Sequence, residues 1–281
     1  MPNPNQRIID LLKRVDREGA VVLPSIPLSQ VEGELIGNAV SVSPYEPLMH
    51  YMKLEFFMGM LQSSDLWMRR LDTFEDDPHE GKYPAANDHQ MSAFDTDLFA
   101  QIGATQSLAE MRASNDIQRQ FVFIHCWFGD VFESKSMWEK YGDQGRGVCL
   151  RSTPSRLREA VRRTSDLGIS MSKVTYLDED VPIPTAMSFL PLCRKRKQFS
   201  SEKEFRLIAQ IPPEALPTDK DGFLITPDRY RKVSVSLDRL LEAVVAGPNL
   251  GPDDLESLQN AVGTKVSGKI VRLSEIKCWQ G

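Results

Sequence analysis

Residues 137–150 read Met-Trp-Glu-Lys-Tyr-Gly-Asp-Gln-Gly-Arg-Gly-Val-Cys-Leu, and this stretch decides how the middle of the chain folds. Trp138 and Tyr141 lie three residues apart, so they share one face of a helix. Three glycines then stand between residues 142 and 147, where they let another backbone or a ligand come close. The apolar residues that follow predict a strand. The segment therefore predicts a helix, a loop and a strand that either cradle a ligand or pack tightly.

Outward from this segment, short strands and short helices alternate irregularly. This order favours an α+β fold over a doubly wound α/β sheet. We predict a single α+β domain over residues 45–281, with a mixed, mostly antiparallel sheet flanked by helices, and an N-terminal extension over residues 1–44. The apolar run Phe121–Phe128 predicts a buried central strand. Helical spacing of apolar residues predicts a helix over Met49–Leu61.

The other elements are predicted from periodicity and from glycine and proline punctuation. The further predicted strands are Leu66–Leu71, Gly147–Arg151, Ile169–Leu177, Glu202–Ile211, Tyr230–Ser236, Leu241–Ala246 and Ile270–Leu273. The further predicted helices are Asn5–Glu18, Ala93–Gln101, Ser107–Gln118, Glu133–Tyr141, Pro154–Arg163, Thr185–Leu192 and Pro252–Val262, and Thr153 is a suitable N-cap.

Composition and charge narrow the class of protein. Of 281 residues, 41% are hydrophobic and 26% are charged, as in ordinary globular proteins. The formal net charge of −5 argues against a uniformly cationic nucleic-acid binder, while a local basic groove is compatible with it. The sequence has no apolar run near the ~20 residues that span a bilayer. It also has no signal-peptide pattern. We therefore predict no membrane association, and the sequence does not indicate an oligomeric state.

The four cysteines are scattered and form no C-x-x-C pair. This spacing predicts buried free thiols, a reduced cytoplasmic protein and no zinc site. The sequence also lacks a dinucleotide-binding G-x-G-x-x-G after a strand, a Walker A loop and a nucleophile elbow. Rossmann, nucleoside-triphosphatase and serine-hydrolase chemistry therefore have no support in the sequence.

Three ordered motifs resemble those of an uncharacterised bacterial domain-of-unknown-function family. They are the opening segment with its Trp-x-x-Tyr and Gly-Val-Cys, the stretch Leu66–Gly81 with its Asp-Asp-Pro-His-Glu-Gly, and Glu202–Leu207 with its Glu-Lys-Glu-Phe-Arg. The resemblance spans roughly residues 48 to 275 and implies no particular activity.

The last of these motifs alternates charged and apolar residues. In a strand, Glu202, Glu204 and Arg206 would share one face, while Phe205 and Leu207 would face the core. Two readings follow for the charged face. It is either a solvated surface with an ion pair worth ~0–1 kcal/mol, or a functional face that borders a cleft.

Glu-x-Glu on a strand also resembles the catalytic signature of ADP-ribosyltransferases, in which the second Glu stabilises an oxocarbenium-like transition state. The resemblance implies NAD+ as cofactor, a nucleic acid or protein as substrate, and a setting such as a bacterial toxin or phage defence. It implies Glu204, Tyr141 and His50 as the catalytic residues. The residues implied for cofactor binding are Trp138, Arg146, Glu202 and Arg206. The alternative is a non-catalytic binding or regulatory module, in which the same residues have structural roles.

Two further charged stretches allow alternative readings. Three readings exist for Asp76, Asp77 and Glu80: oxygen ligands for a divalent cation, a turn and helix start in which Asp77 is the N-cap, or hydrogen-bonding groups in a substrate pocket. Of these readings we favour the turn and helix start and expect no metal. Six arginines between Arg146 and Arg163, and the run Arg194–Lys197, suit a phosphate or form a solvated face.

Overall fold

The computed structural model describes residues 34–35, 37–39, 42–102, 107–162, 166–269 and 271–277. The predicted helix Asn5–Glu18 and most of the predicted N-terminal extension lie outside these residues. The domain boundary near residue 44 therefore stays a prediction.

The described chain is built around one large sheet, with a separate two-stranded sheet beside it. The nine strands of the large sheet are paired antiparallel, apart from one parallel pair, β10 with β11. The strands are β1 Leu48–Met52, β2 Asp65–Arg70, β3 Val122–Gly129, β4 Val148–Ser152, β5 Gly168–Lys173, β6 Thr175–Leu177, β7 Arg194–Arg196, β8 Glu204–Gln210, β9 Tyr230–Ser234, β10 Ala243–Ala246 and β11 Val271–Leu273.

The helices are short, and side chains cap several of them. In the described residues from 42 onward, the α-helices are α1 Leu54–Ser63, α2 Ala93–Ile102, α3 Leu108–Gln118, α4 Lys135–Lys140, α5 Pro154–Ala160, α6 Leu237–Leu240 and α7 Pro252–Lys265. The 3-10 helices are Leu71–Thr73, Ala85–Asp88, Arg119–Phe121, Asp143–Gly145, Leu190–Cys193, Lys197–Glu202 and Pro213–Ala215. Thr153 caps α5 by accepting from the Arg156 N–H, as predicted.

The strand order shows how the sheet is assembled. One path runs β11-β10-β4-β1-β3-β2-β9, while β8 pairs with β3 and β5 pairs with β8. Strand β3 is central, as the run Phe121–Phe128 predicts. The predicted α+β class, with a mixed and mostly antiparallel sheet flanked by helices, is confirmed.

Strand β3 has an unusual edge. Along one edge it pairs continuously with β8, from Val122 to Phe128. Along the other edge it pairs with β2 at Phe123 and Ile124, and then with β1 at Phe128 and Gly129. The sheet therefore forks beside residues 125–127, where β3 changes from one neighbour to the next.

The two faces of the sheet bury different sets of residues. The main core lies on one face, where apolar residues such as Leu48, Phe123 and Phe205 pack against helices α1, α5, α6 and α7. Smaller clusters, which include Met49 and Trp138 in one and Ile208 in another, cover the opposite face. Among the described residues, every helix is too short or too polar to cross a membrane.

Four predicted elements are wrong in part. The predicted strand Ile169–Leu177 is two strands, β5 in the large sheet and β6 in the two-stranded sheet. The predicted helix Met49–Leu61 begins only at Leu54, because residues 48–52 alternate between the two buried faces of the sheet as strand β1. Residues 185–189 form no helix, and only a 3-10 turn follows at Leu190–Cys193. The predicted strand Glu202–Ile211 begins at Glu204, because Lys203 has a left-handed φ of 40° that ends the preceding 3-10 helix.

Candidate functional site

Six charged side chains meet on the face of the sheet opposite the main core, at the start of β8. We call them the charge cluster: Glu80, Lys140, Lys195, Glu202, Glu204 and Arg206. Three are acids and three are cations, so the cluster is neutral when all six are ionised. The fold thus brings together residues from all three motifs, which span residues 66 to 207, and Lys195 from the basic run.

Glu204 is at the centre of the charge cluster. One of its carboxylate oxygens accepts from Lys195 Nζ at 2.7 Å. The other accepts from Arg206 Nε at 2.8 Å and lies 2.7 Å from Nη2 of the same guanidinium. Its backbone N–H donates to the Tyr176 hydroxyl at 2.7 Å. Both oxygens of this carboxylate are therefore bonded to buried cations.

Glu80 joins the cluster from the turn that follows β2. Its carboxylate accepts from Arg206 Nη2 at 2.7 Å and lies 3.4 Å from Lys195 Nζ. Arg206 completes its bonding through Nη1, which donates to the Leu192 carbonyl at 2.7 Å, and its side chain is 0% exposed. This guanidinium is the deepest charge of the cluster.

Glu202 lies on the solvent side of the charge cluster. Its Oε2 accepts from Lys195 Nζ at 2.6 Å, and its Oε1 accepts from Lys140 Nζ at 2.6 Å. The Tyr141 hydroxyl donates to the same Oε1 at 3.2 Å. Tyr141 is 40% exposed, so the cluster meets solvent on this side. Tyr141, Lys140 and Glu202 are therefore the side chains that a ligand would reach first.

Burial and pairing set the protonation of these groups. Burial alone would raise the pKa of Glu204, but Arg206 and Lys195 lower it to about 2. Burial raises the pKa of Glu80 above its usual range, with Arg206 opposing the shift. Burial also opposes the charge of Lys195, yet Glu204 and Glu80 raise its pKa. At neutral pH Glu204 and Lys195 are ionised and Tyr141, whose pKa burial raises, keeps its proton.

The turn that carries Glu80 is the one the sequence predicts. Asp77 Oδ1 accepts from the His79 N–H at 3.1 Å and His79 is exposed, although no helix begins here. Asp77 also pairs with Arg196 Nη2 at 2.8 Å. Within the described ranges, no group of three or more His, Cys, Asp or Glu side chains is arranged to hold a metal ion.

Two sequence interpretations are wrong. The charged face of Glu202–Arg206 is not a solvated surface pair, because Arg206 is fully buried and both glutamates are nearly so. The basic run is not a solvated face at Arg194 and Lys195, which are also buried. Glu80 and Lys195 stand outside the predicted catalytic and cofactor-binding residues, although the sequence singles out both stretches, Glu80 in the acidic group that follows β2 and Lys195 in the basic run. The long-range pairing that neutralises them cannot be read from spacing.

His50 lies elsewhere. Residue Met49 pairs with Phe128, and Phe128 pairs with Glu204, so these three side chains share one face of the sheet. His50 is the next residue along β1 and therefore points to the opposite face. There its ring centroid lies 4.2 Å from that of His125 and 5.4 Å from that of Trp127. The structure thus brings Tyr141 and Glu204 into one region and places His50 on the other side of the sheet.

Trp138 and Arg146 have separate surroundings. Trp138 is 0% exposed, packs edge-on against Tyr51 at 4.9 Å between ring centroids, and donates from Nε1 to Glu133 at 2.9 Å. Arg146 is exposed and pairs with Asp143 at 3.2 Å. Trp138 and Arg206 have no exposed side-chain surface to offer a nucleotide, so the four residues implied for cofactor binding do not form one accessible surface.

The glycines after Tyr141 serve tight packing. A Cβ at Gly147 would lie 2.1 Å from the Met52 carbonyl oxygen, and a Cβ at Gly142 would lie 2.4 Å from the Trp138 ring. Gly247 approaches the same loop, because its Cβ would lie 2.1 Å from the Gly145 carbonyl oxygen. Of the two sequence alternatives for this segment, close packing of backbone and ring is what the glycines provide.

Comparison with known proteins agrees with part of this picture. Residues 137–207 match the model of a family described as a protein of unknown function (DUF2971). The match runs from the Trp138 segment to the end of the Glu202–Leu207 motif, and it supports the predicted similarity to an uncharacterised family. No curated protein and no solved structure matches this chain.

Proposed function

We propose that this chain is a non-catalytic binding or regulatory module, in which the charge cluster holds the segments of the fold together. The observation that carries the proposal is the saturation of Glu204. One carboxylate oxygen accepts from Lys195 and the other accepts from Arg206, and burial leaves little room for a third partner.

The catalytic alternative requires a different environment for the Glu204 carboxylate. A glutamate that stabilises a developing cation must direct an available oxygen at the reacting atom. In Glu204 the neighbouring cations already neutralise the charge and hold its pKa at about 2. His50, on the opposite face of the sheet, is separated from Glu204 by the sheet itself. These contacts favour a structural role for Glu204.

A second candidate is an ADP-ribosyltransferase-like enzyme that uses NAD+ to modify a nucleic acid or protein, in a toxin or phage-defence setting. The Tyr141–Glu202 pair favours it. A phenol and a carboxylate share a hydrogen bond at the solvent side of a buried charge network, and such networks often mark functional sites. In this candidate Glu202 replaces Glu204 as the acid that a substrate would meet.

Turnover of NAD+ separates the two candidates. The folded wild-type protein is incubated with labelled NAD+ and a whole-cell lysate, and label transfer and loss of NAD+ are both measured. The binding proposal predicts neither. Label transfer that disappears in Glu202→Gln and Tyr141→Phe, while both variants keep the wild-type melting temperature, would overturn the binding proposal and support the enzyme.

A further inference from the structure

The edge of the sheet at β2 and β9 carries exposed aromatic rings that neither candidate function uses. Trp67 is 53% exposed and Tyr230 is 46% exposed, and the two rings lie 6.2 Å apart at an angle of 67°. A single exposed aromatic residue is ordinary, but two neighbouring rings of this size form a patch of the kind that marks interaction sites.

Cations stand next to both rings. Trp67 pairs with Lys232 across the two strands, and Lys232 Nζ lies 4.5 Å from the centroid of the indole ring. Arg69 pairs with Tyr230 across the same strands, and Arg229 Cζ lies 5.9 Å from the tyrosine ring. We call these five residues, Trp67, Arg69, Arg229, Tyr230 and Lys232, the aromatic–basic face.

Only some of the cations on the aromatic–basic face have a carboxylate partner. Arg229 pairs with Glu75 at 2.7 Å, and Asp65 accepts from Ser234 at 2.8 Å. In the described part of the chain, Lys232 and Arg69 form no ion pair with a carboxylate, since Arg69 instead donates to Thr73. The face therefore offers cations to an anionic partner beside rings that suit a planar, apolar one.

A cavity of about 110 Å³ adjoins the same strand. Three basic residues line the cavity: Arg162, Arg231 and Lys232. The acid among its lining residues, Asp166, pairs with Arg231. Strand β9 is the last strand on its path through the sheet, and the end of its outer edge is covered, because Val161 bridges to Val235 and the Arg162 N–H donates to the Ser234 carbonyl. The cavity therefore borders the strand that carries Tyr230 and Lys232.

We propose that the aromatic–basic face binds a single-stranded nucleic acid. Unpaired bases stack on Trp67 and Tyr230, and the phosphates between them contact Lys232 and Arg69. Stacking on aromatic side chains is indifferent to base identity, and phosphate contacts are indifferent to the sugar. The face should therefore take DNA and RNA single strands alike, and it should reject a duplex, whose bases are already stacked. This inference rests on the proposed binding role and names the partner class.

The test is fluorescence anisotropy with labelled dT12, U12 and a 12-base-pair duplex at low salt. Wild-type protein should bind both single strands with similar affinity. Trp67→Ala should weaken binding by about 5- to 150-fold, the range for loss of one stacked base. Trp67→Phe keeps a ring and should lose less. Lys232→Gln should weaken binding and reduce the dependence of log K on log salt by about 0.7.

Phe56 provides a matched control. It is exposed on α1 and has its own cation, Lys53 Nζ, 5.8 Å from its ring, but it lies outside the aromatic–basic face. Phe56→Ala should leave binding unchanged. The proposal is overturned if wild type binds neither single strand, if the duplex binds as tightly, or if Phe56→Ala and Trp67→Ala weaken binding equally.

Failure here and failure of the proposed function give different results. Loss of oligonucleotide binding with no NAD+ turnover removes the nucleic-acid partner and leaves the binding role to another class of partner. NAD+ turnover that depends on Glu202 removes the non-catalytic role, whatever the oligonucleotide result.

Discussion

His50 donates from Nδ1 to the carbonyl oxygen of Cys126 at 2.8 Å, at the fork of the sheet. Strand β3 leaves β2 after Ile124 and joins β1 at Phe128, so the carbonyl between them has no strand partner on that edge. The histidine side chain supplies the missing hydrogen bond. A buried backbone carbonyl left without a donor costs free energy, so this contact explains why a polar ring lies on the face of the main core.

Removing this donor should destabilise the fold. In His50→Leu the side chain keeps a similar volume but leaves the Cys126 carbonyl unsatisfied, which costs about 1–3 kcal/mol in the free energy of unfolding. His50→Gln keeps a donor and should lose less. Urea denaturation of the two variants provides the measurement. Equal stability of wild type and His50→Leu would mean that the carbonyl finds another partner.

Stability should fall in mild acid because two histidines are buried. Desolvation lowers the pKa of His50 from 6.5 to about 4, and burial together with His50 lowers that of His125 well below 6.5. Below pH 6.5 the unfolded chain therefore binds protons that the folded chain does not. Each histidine should reduce the free energy of unfolding by up to about 1.4 kcal/mol per pH unit, and for His50 this loss ends near pH 4.

Urea titrations at pH 7.5, 6.0 and 5.0 measure this slope. Glu204, with a pKa of about 2, adds its own loss only below pH 4.5. Between pH 6.5 and 4.5 Glu80 opposes the histidines, because burial raises its pKa and the folded chain takes up that proton more readily, so a histidine variant is needed to isolate their contribution. His50→Gln should make the dependence shallower in that interval. If the free energy of unfolding changes equally with pH in wild type and in His50→Gln, the His50 ring is not buried as described.

Glu204→Gln should unfold the protein more easily, because it leaves Lys195 and Arg206 short of a buried counter-charge. Breaking a buried ion pair costs about 3–5 kcal/mol, and the remaining acids Glu80 and Glu202 should hold the loss near the lower end. Glu202→Gln, on the solvent side, should cost less. Thermal melts of both variants decide the point. An unchanged melting temperature for Glu204→Gln would show that stability does not depend on this carboxylate, which would favour a functional role for Glu204.

Substitution by alanine should have opposite effects at two glycines, because only one of them lies against another backbone. Gly147→Ala places a Cβ 2.1 Å from the Met52 carbonyl oxygen, and overpacking of this kind costs about 1–3 kcal/mol or more. Gly263→Ala, in α7, meets no atom within 4 Å and should stabilise the helix by about 0.5–1 kcal/mol. Differential scanning calorimetry of the pair checks the sign of each change. A stable Gly147→Ala would mean that the loop can move away from β1.

The sequence predicts the fold class and most strands, because those depend on local periodicity. The run Phe121–Phe128 and the cap at Thr153 are local signals, and the structure has both. Residues 48–52 mislead the same reasoning. Met49 and Met52 fit a helical spacing, and the strand forms only because partners on both sides, β3 and β4, bury its two faces.

The charge cluster was harder to predict, because its pairs are long-range. Glu204 and Arg206 share a strand face, as their spacing predicts. The spacing does not show that Glu80 and Lys195 neutralise them, so an exposed or cleft-facing position was the natural expectation. The resemblance to ADP-ribosyltransferases groups His50 with Tyr141, but side chains alternate along β1, so His50 lies on the other face of the sheet.

Arg206 and Glu80 are 126 residues apart in sequence and are paired in the interior. In a partly folded chain in which the turn after β2 has docked without β8 and the basic run, Glu80 is buried without a counter-charge, at a cost of several kcal/mol. Arg206 would still have Glu204 beside it on β8, so the turn after β2 docks with strand β8 or after it. We expect this half of the sheet to melt in one cooperative step, whatever binds to its surface.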